Sequence, residues 1–307
     1  MLLNDYEITL ADASPEDTTA TEVRATTDAQ GKRASILAAF FGLDDDLPRF
    51  ANRVICEGAG GKDGMPVIFS HEIDSDSMQA GDFRVTTASG NVGELTCVTL
   101  APADDPGELR TVLLTGQYGS INDQPVKVEI VGNLLSLDKS LNFKGTSSTV
   151  IPLEDGPTLI LAELVAQDRL ELGKAPTELP FGGGSGCPVD TRQVVNVVWA
   201  GGVTKPEGNE ADDQERLQYA VIVENTDGSQ AKVTPFALAD LQDGDNNHRL
   251  CLDVAGRPTS VFFPAGHLAD PRGDLNPDTR MAIRPSPSDV PSPAEEPRPA
   301  VEVRKNP

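Results

Sequence analysis

The chain of 307 residues is poor in basic residues, histidine and aromatic residues. It holds 25 Lys and Arg against 48 Asp and Glu, which gives a net charge of -23. Proteins bind nucleic acids through cationic side chains that release counterions from the phosphates, so this charge excludes a nucleic-acid partner. Anionic membrane surfaces are disfavoured for the same reason. No apolar run reaches the ~18 residues of a membrane span, so no membrane insertion is expected.

Several catalytic motifs are also missing from the sequence. There is no Walker sequence and no G-x-S-x-G elbow, and no CxxC or CxxH pair indicates a zinc site. The segment GAGGKDG has Asp63 where a dinucleotide-binding loop needs its third glycine. These absences disfavour nucleotide-binding and serine-hydrolase functions, and they leave open whether the protein is an enzyme.

Three histidines leave one catalytic alternative. His71, His248 and His267 each stand beside acidic residues, but they are far apart in the sequence. Folding could bring metal ligands together near residues 240–253 and 267–278. The alternative function is therefore a calcium- or zinc-dependent hydrolase with its site between two β domains.

The four cysteines bear on the compartment. Cys56 and Cys97 fall in a first β-rich region, and Cys187 and Cys251 fall in a second one. One disulfide within each region is expected, although four cysteines allow three pairings and four free thiols are the alternative. Disulfides favour the periplasm or the cell exterior. The N-terminus lacks the pattern of a signal peptide, so the expectation is either a mature exported chain or a cytoplasmic protein.

Hydrophobic periodicity predicts a mostly β protein with two antiparallel β-sandwich domains. Residues 1–50 form an acidic N-terminal segment, in which Ile36, Leu37, Phe40 and Phe41 fall at helical spacing and predict a short helix. Residues 51–172 contain short strands with turn residues between them, from FANRVICEG to PVKVEIVG, and predict the first sandwich. The segment TLILAELV is interpreted as a further strand followed by a helical turn.

A linker and a second β region follow. Residues 173–186, GKAPTELPFGGGSG, are rich in Pro and Gly and predict the domain boundary. Residues 187–283 predict the second sandwich, with Asp227-Gly228 as the turn of a hairpin and Trp199 in the core. Residues 284–307 predict a disordered, proline-rich tail.

One stretch, PVIFSHEIDSDSMQAGDFRV, resembles the opening of bacterial immunoglobulin-like domains found in surface and secreted proteins. The resemblance implies an immunoglobulin-like sandwich and an extracellular setting, and it implies no catalytic residues. The residues that match are Val67, Ile68, Phe69, Ser70, Ile73, Asp74, Phe83 and Val85.

The loop ADLQDGDNNHRLCLD is the best candidate for a metal site. Asp243, Asp245 and Asn247 occupy alternate positions, and Asp240 or Asp253 could add a further ligand. Calcium needs six to eight oxygen ligands, and such a turn supplies several at once. The loop begins like an EF-hand, but the glycine and the final glutamate of that motif are missing; a plain turn is the alternative.

These observations favour a non-catalytic, acidic binding protein of the cell surface or periplasm that calcium stabilises. Its partner would be a protein or a saccharide. A cytoplasmic protein with a basic partner is a further alternative.

Overall fold

The computed structural model describes residues 22–29, 31–177 and 183–285. Within these ranges the protein is mostly β and has four antiparallel sheets. The described part has two short α-helices, α1 (Ala51–Val54) and α2 (Asp213–Arg216), and none of its helices has the length and apolarity to cross a membrane. The predicted tail lies outside the described residues from 286 onwards, as do the first 21 residues.

The first sandwich consists of two sheets with strand orders β1-β2-β5-β4 and β3-β6-β7. Side chains alternate along each strand, so Val67 and Phe69 face Phe83 and Val85 of the opposite sheet in one apolar core. The strands are β1 (Ile36–Ala39), β2 (Asp63–Phe69), β3 (Phe83–Thr87), β4 (Glu94–Thr99), β5 (Thr111–Gln117), β6 (Pro125–Ile130) and β7 (Ser147–Thr149).

The second sandwich has strand orders β12-β13-β9-β8 and β11-β10-β14-β15. Its core contains Trp199, which is fully buried as the sequence predicts. The predicted hairpin at Asp227-Gly228 is confirmed by the pairing of β10 with β11. The strands are β8 (Leu159–Leu164), β9 (Gln193–Trp199), β10 (Ala220–Glu224), β11 (Gln230–Val233), β12 (Ala237–Ala239), β13 (Asn247–Leu252), β14 (Arg257–Phe263) and β15 (Thr279–Ala282). The predicted mostly β, sandwich-type fold is confirmed, and the immunoglobulin-like assignment stays a prediction.

Two local predictions are wrong. The apolar run around Ile36 is the strand β1 and not a helix, because it pairs with β2 and is buried on both faces. A continuous apolar run of this kind fits a buried strand as well as it fits a helix. Conversely, FANRVICEG, predicted as a strand, contains α1.

The two sandwiches pack against each other through the sheets β1-β2-β5-β4 and β12-β13-β9-β8, which are called the inner sheets below. Ile68 of β2 and Ala38 of β1 point away from the first core and contact Leu161 of β8 and Val198 of β9. Strand β8, which falls in the range predicted for the first domain, pairs with β9 and therefore belongs to the second sandwich. The linker predicted at 173–186, of which 178–182 lie outside the described residues, stays a prediction.

Two disulfides join Cys56 to Cys97 and Cys187 to Cys251, which confirms one bridge in each half of the chain. The first ties the segment after α1 to β4. The second ties the start of the second β region to β13, beside the predicted metal loop.

Candidate functional site

The predicted metal loop lies directly before β13, on the side of the second sandwich that faces the first. Asp240, Asp243 and Asp245 are 2%, 4% and 8% exposed. The loop coils tightly because Asp240 and Gln242 adopt left-handed backbone conformations, with φ of 66° and 78°. Aspartate tolerates this conformation better than most residues. The loop therefore buries three carboxylates where a plain surface turn would expose them.

The other two predicted ligands have different places. Asn247 is the first residue of β13, and its Nδ2 donates a hydrogen bond to Oδ2 of Asp245 at 2.6 Å. Asn247 thus holds the Asp245 side chain in position. Asp253 is exposed and follows the last residue of β13. A strand of this length spans about 20 Å, so Asp253 is not brought to the loop.

The first sandwich contributes carboxylates that the sequence interpretation missed. Asp105 and Glu108 lie between β4 and β5, and each has a carboxylate oxygen within 4.8 Å of one from Asp240 and of the other's. No sequence pattern links these residues, because the contact depends on how the two inner sheets pack. The acidic cluster, by which we mean Asp105, Glu108, Asp240, Asp243 and Asp245, is therefore built by both sandwiches.

Two cationic side chains belong to the same region. Nη2 of Arg249 lies 3.1 Å from Oε1 of Glu108, and Nε of Arg249 lies 3.7 Å from Oδ2 of Asp240. Nζ of Lys174 lies 2.9 Å from Oδ2 of Asp105. These two cations do not neutralise the charge of the five carboxylates in the acidic cluster. Arg249 also pairs with Glu171, which lies outside the cluster.

The excess of negative charge shifts the acidity of the carboxyl groups. Burial, and then the neighbouring Asp240, raise the pKa of Asp243 to about 7. Burial, followed by Asp243 and Asp240, raises the pKa of Asp245 well above its ordinary value. Burial and the charges of Asp245 and Asp240 do the same to the pKa of Glu108. Each group resists ionisation unless a cation is added.

Two features of the cluster suit a cation with oxygen ligands. Oδ2 of Asp240 is buried, and its contact with Nε of Arg249, at 3.7 Å, is too long for a hydrogen bond. A β-carbon built on Gly184 would lie 2.5 Å from Oδ2 of Asp243 and 2.6 Å from Oδ1 of Asp240, so only glycine leaves room between these carboxylates. Carboxylate oxygens are the ligands that calcium prefers.

A second acidic group, Asp44, Asp45 and Asp63, has a structural explanation. Oδ1 of Asp63 accepts a hydrogen bond from the backbone N–H of Asp45, and Oδ2 accepts from those of Tyr118 and Gly119. The buried Asp63 carboxylate therefore holds three backbone segments together.

The histidines are not part of the acidic cluster. His71 pairs with Asp28 in the first half of the chain. His248 is buried against Tyr219, and burial lowers its pKa to about 4. Across the described ranges, neither group of potential metal ligands includes a histidine.

Comparisons with known proteins identify no relatives by sequence: no family model matches the chain, and no curated protein matches it. Among solved structures, the N-terminal part of the bacterial S-layer protein SbsC aligns at 10% identity over 83% of this chain and 45% of that one, with a TM-score of 0.27. Domains 1–6 of SbsC align at 10% identity over 77% and 42% of the two chains, with a TM-score of 0.28. The chain spans less than half the length of these structures, and similarity this low carries no argument about its function.

Proposed function

We propose that this is a non-catalytic binding protein of the periplasm or cell surface, and that calcium bound in the acidic cluster fixes one sandwich against the other. The observation that carries the proposal is that buried carboxylates from both sandwiches, those of Glu108 and Asp240, lie within 4.8 Å of each other and share the cation of Arg249. Asp240 and Asp243 are the central ligands, Asp105 and Glu108 are the ligands from the first sandwich, and Asn247 orients Asp245.

The disulfides support the proposed compartment. Both form within the folded chain and leave no free cysteine. Such bridges persist in oxidising environments outside the cytoplasm. Extracellular modules bind calcium with dissociation constants of about 10⁻⁴–10⁻³ M. A site of that strength suits this cluster, because Arg249 and Lys174 already neutralise part of its charge.

The macromolecular partner in this proposal is a protein or a saccharide. A net charge of -23 opposes phosphate backbones, whereas it permits a basic protein surface or a neutral sugar.

Thermal unfolding in chelator and in 1 mM calcium tests the proposal, because a ligand that binds only the folded state must stabilise it. For a dissociation constant of about 10⁻⁴ M, we expect calcium to raise the melting temperature by about 2–4 °C. Asp240→Asn and Asp243→Asn should abolish the rise. Asp253→Asn is the matched control, since that aspartate lies beyond β13, and it should keep the full rise.

Two results would contradict the proposal. One is an unchanged melting temperature of the wild-type chain in calcium, and the other is an equal rise in Asp240→Asn and Asp253→Asn. The zinc- or calcium-dependent hydrolase stays the alternative. Stabilisation by zinc and not by calcium, lost on substitution of a histidine, would favour it.

A further inference from the structure

The two sandwiches are separate units that meet at the inner sheets, and we call this contact the junction. The strands β1–β7 of the first sandwich end at residue 149, and the strands β8–β15 of the second begin at residue 159. Each sandwich has an apolar core and a disulfide of its own. Units of this kind move relative to each other unless the interface between them is large and apolar.

The apolar part of the junction is small. The cluster of buried apolar side chains that joins the inner sheets consists of Ala38, Ile68, Leu161 and Val198. Beside it the two sandwiches leave a cleft of about 420 Å³, which residues of both sandwiches line. The inner sheets are therefore not close-packed along their whole length, as the interior of one domain would be.

Two ion pairs cross the junction in opposite directions. Nη2 of Arg110, in the first sandwich, lies 2.6 Å from Oε1 of Glu163 in β8. Nη2 of Arg249, in β13, lies 3.1 Å from Oε1 of Glu108 in the first sandwich. Glu163 and Arg249 are the two cross-strand neighbours of Asn196 in β9, so they form one row across the inner sheet. Each sandwich therefore supplies one acid and one base to the junction.

Glu163 has a second arginine beside it, from its own sandwich. Arg284, just after β15, forms a parallel β-bridge with Glu163 at the edge of β8, and the side chains of such a pair lie on the same face. Burial lowers the pKa of the half-buried Arg284 guanidinium; the charge of Glu163 opposes this change, and the charge of Arg110 adds to it. Because Glu163 pairs with Arg110, the Arg284 guanidinium has no ion pair within the described ranges.

The other charges of the junction also have partners within their own sandwich. Nη1 of Arg249 lies 2.9 Å from Oε2 of Glu171, and its Nε lies 3.7 Å from Oδ2 of Asp240. In the first sandwich, Glu108 and Arg110 stand two residues apart and face the same inner sheet, so they can neutralise each other. Breaking a buried ion pair is costly mainly when it leaves a charge without a partner. Separation of the sandwiches avoids that cost here.

We propose that the sandwiches exchange between a docked state, with the contacts described above, and an undocked state, in which they separate as rigid bodies and Glu163 exchanges Arg110 for Arg284. Opening of this kind exposes the junction and leaves both cores folded. The exchange takes place without calcium. A calcium ion held by carboxylates of both sandwiches would shift it towards the docked state.

Two further ion pairs across the junction do not prevent the opening. Arg169 lies 3.6 Å from Glu72 and is 56% exposed, and Lys174 lies 2.9 Å from Asp105 and is 29% exposed. Pairs that water reaches contribute little, because water replaces the partner when they separate.

Alkylation of single introduced cysteines in the native full chain, in chelator, tests the undocked state. Val198→Cys places a thiol at the junction, and its neighbour on β9, Val197→Cys, places one in the core of the second sandwich. Both valines are fully buried. We expect the thiol of Val198→Cys to react about a hundredfold faster, because only global unfolding exposes position 197. Mass spectrometry gives the rates, and Ile68→Cys with Val67→Cys repeats the comparison on β2 of the first sandwich.

Two arginine variants in the Val198→Cys background test the exchange of partners. Arg110→Gln removes the partner of Glu163 in the docked state and should speed alkylation about tenfold. Arg284→Gln removes its partner in the undocked state and should slow alkylation about threefold. A purely structural role of Arg284 predicts the opposite sign for its variant. Arg257→Gln is the control, since Arg257 is 74% exposed and pairs with Glu224 at the surface, and it should leave the rate unchanged.

Equal alkylation rates at the junction and core positions, on both β9 and β2, would overturn the undocked state. Faster alkylation in Arg284→Gln, or a rate unaltered by Arg110→Gln, would overturn the exchange of partners at Glu163. Thermal unfolding of each cysteine variant confirms that the rates refer to the folded protein.

Discussion

Nη2 of Arg249 lies 3.1 Å from Oε1 of Glu108, and this ion pair joins the two sandwiches. The two side chains are 5% and 1% exposed, so neither charge is solvated by bulk water. Arg249 belongs to β13 of the second sandwich, and Glu108 precedes β5 of the first. A buried arginine of this kind is costly to desolvate, and its carboxylate partners offset that cost.

Arg249→Met should therefore destabilise the protein by about 3–5 kcal/mol, because the substitution leaves buried carboxylates without their cation. Urea denaturation measures the change. Arg257→Met is the control: Arg257 pairs with Glu224 at the surface and is 74% exposed, so we expect a loss below about 1 kcal/mol. Equal losses in the two variants would show that the pair between the sandwiches is not a major contact.

The disulfides should differ in their resistance to reduction. Cys187 and Cys251 are fully buried, whereas Cys56 and Cys97 are partly exposed. In native buffer, low concentrations of reductant should open the Cys56–Cys97 bridge first, because a thiolate must reach the sulfur that it attacks. Mass spectrometry after alkylation gives the order.

Complete reduction of the two bridges should cost about 4 kcal/mol each, since they close loops of 41 and 64 residues. Alkylation of all four cysteines without reductant, in denaturant, would contradict both bridges and the proposed compartment.

The sequence predicts those parts of the fold in which local pattern and tertiary contact agree. Asp227-Gly228 marks its hairpin because the turn chemistry is local, and the alternation in β3 matches its packing with one buried face. The run at Ile36 is misread because both faces of β1 are buried, and this removes the period that separates strand from helix.

The residues of the candidate site fall into the same two groups: those that the local sequence pattern predicts and those that only the packing of the sheets brings together. Asp243 and Asp245 are visible in the sequence because their spacing is local. Asp105 and Glu108 become neighbours of Asp240 only when the inner sheets pack, and Asp253 is lost because β13 extends away from the loop.

Stability should depend on pH through His248. Nε1 of Trp199 donates to the hydroxyl oxygen of Tyr219, and that hydroxyl shares a hydrogen bond of 2.8 Å with Nδ1 of His248. Burial lowers the pKa of His248 to about 4 from an ordinary value of 6.5. The unfolded chain therefore binds a proton that the folded chain excludes. His248 contributes its full stability above pH 6.5, and that contribution is lost as the pH falls towards 4.

Urea denaturation in chelator between pH 6.5 and 4 tests this, with a loss of about 3 kcal/mol expected from His248 over the interval. His248→Gln keeps a side chain that can hydrogen-bond to Tyr219 but does not titrate in this range, so the stability of this variant should fall by correspondingly less. Parallel curves for the two proteins would show that the acid sensitivity arises elsewhere.

Gly184→Ala should disturb the cation site more than it disturbs the rest of the fold. A β-carbon there would lie 2.5 Å from Oδ2 of Asp243 and 2.8 Å from the α-carbon of Asp240, so the loop must move. We expect calcium affinity to fall at least tenfold and stability in chelator to fall by about 1–3 kcal/mol. Gly202→Ala is the control, because its β-carbon would meet its nearest neighbour at 3.8 Å, an ordinary contact. Calcium titrations followed by thermal unfolding compare the two, and a Gly184→Ala variant with wild-type affinity would place the ion away from Asp240 and Asp243.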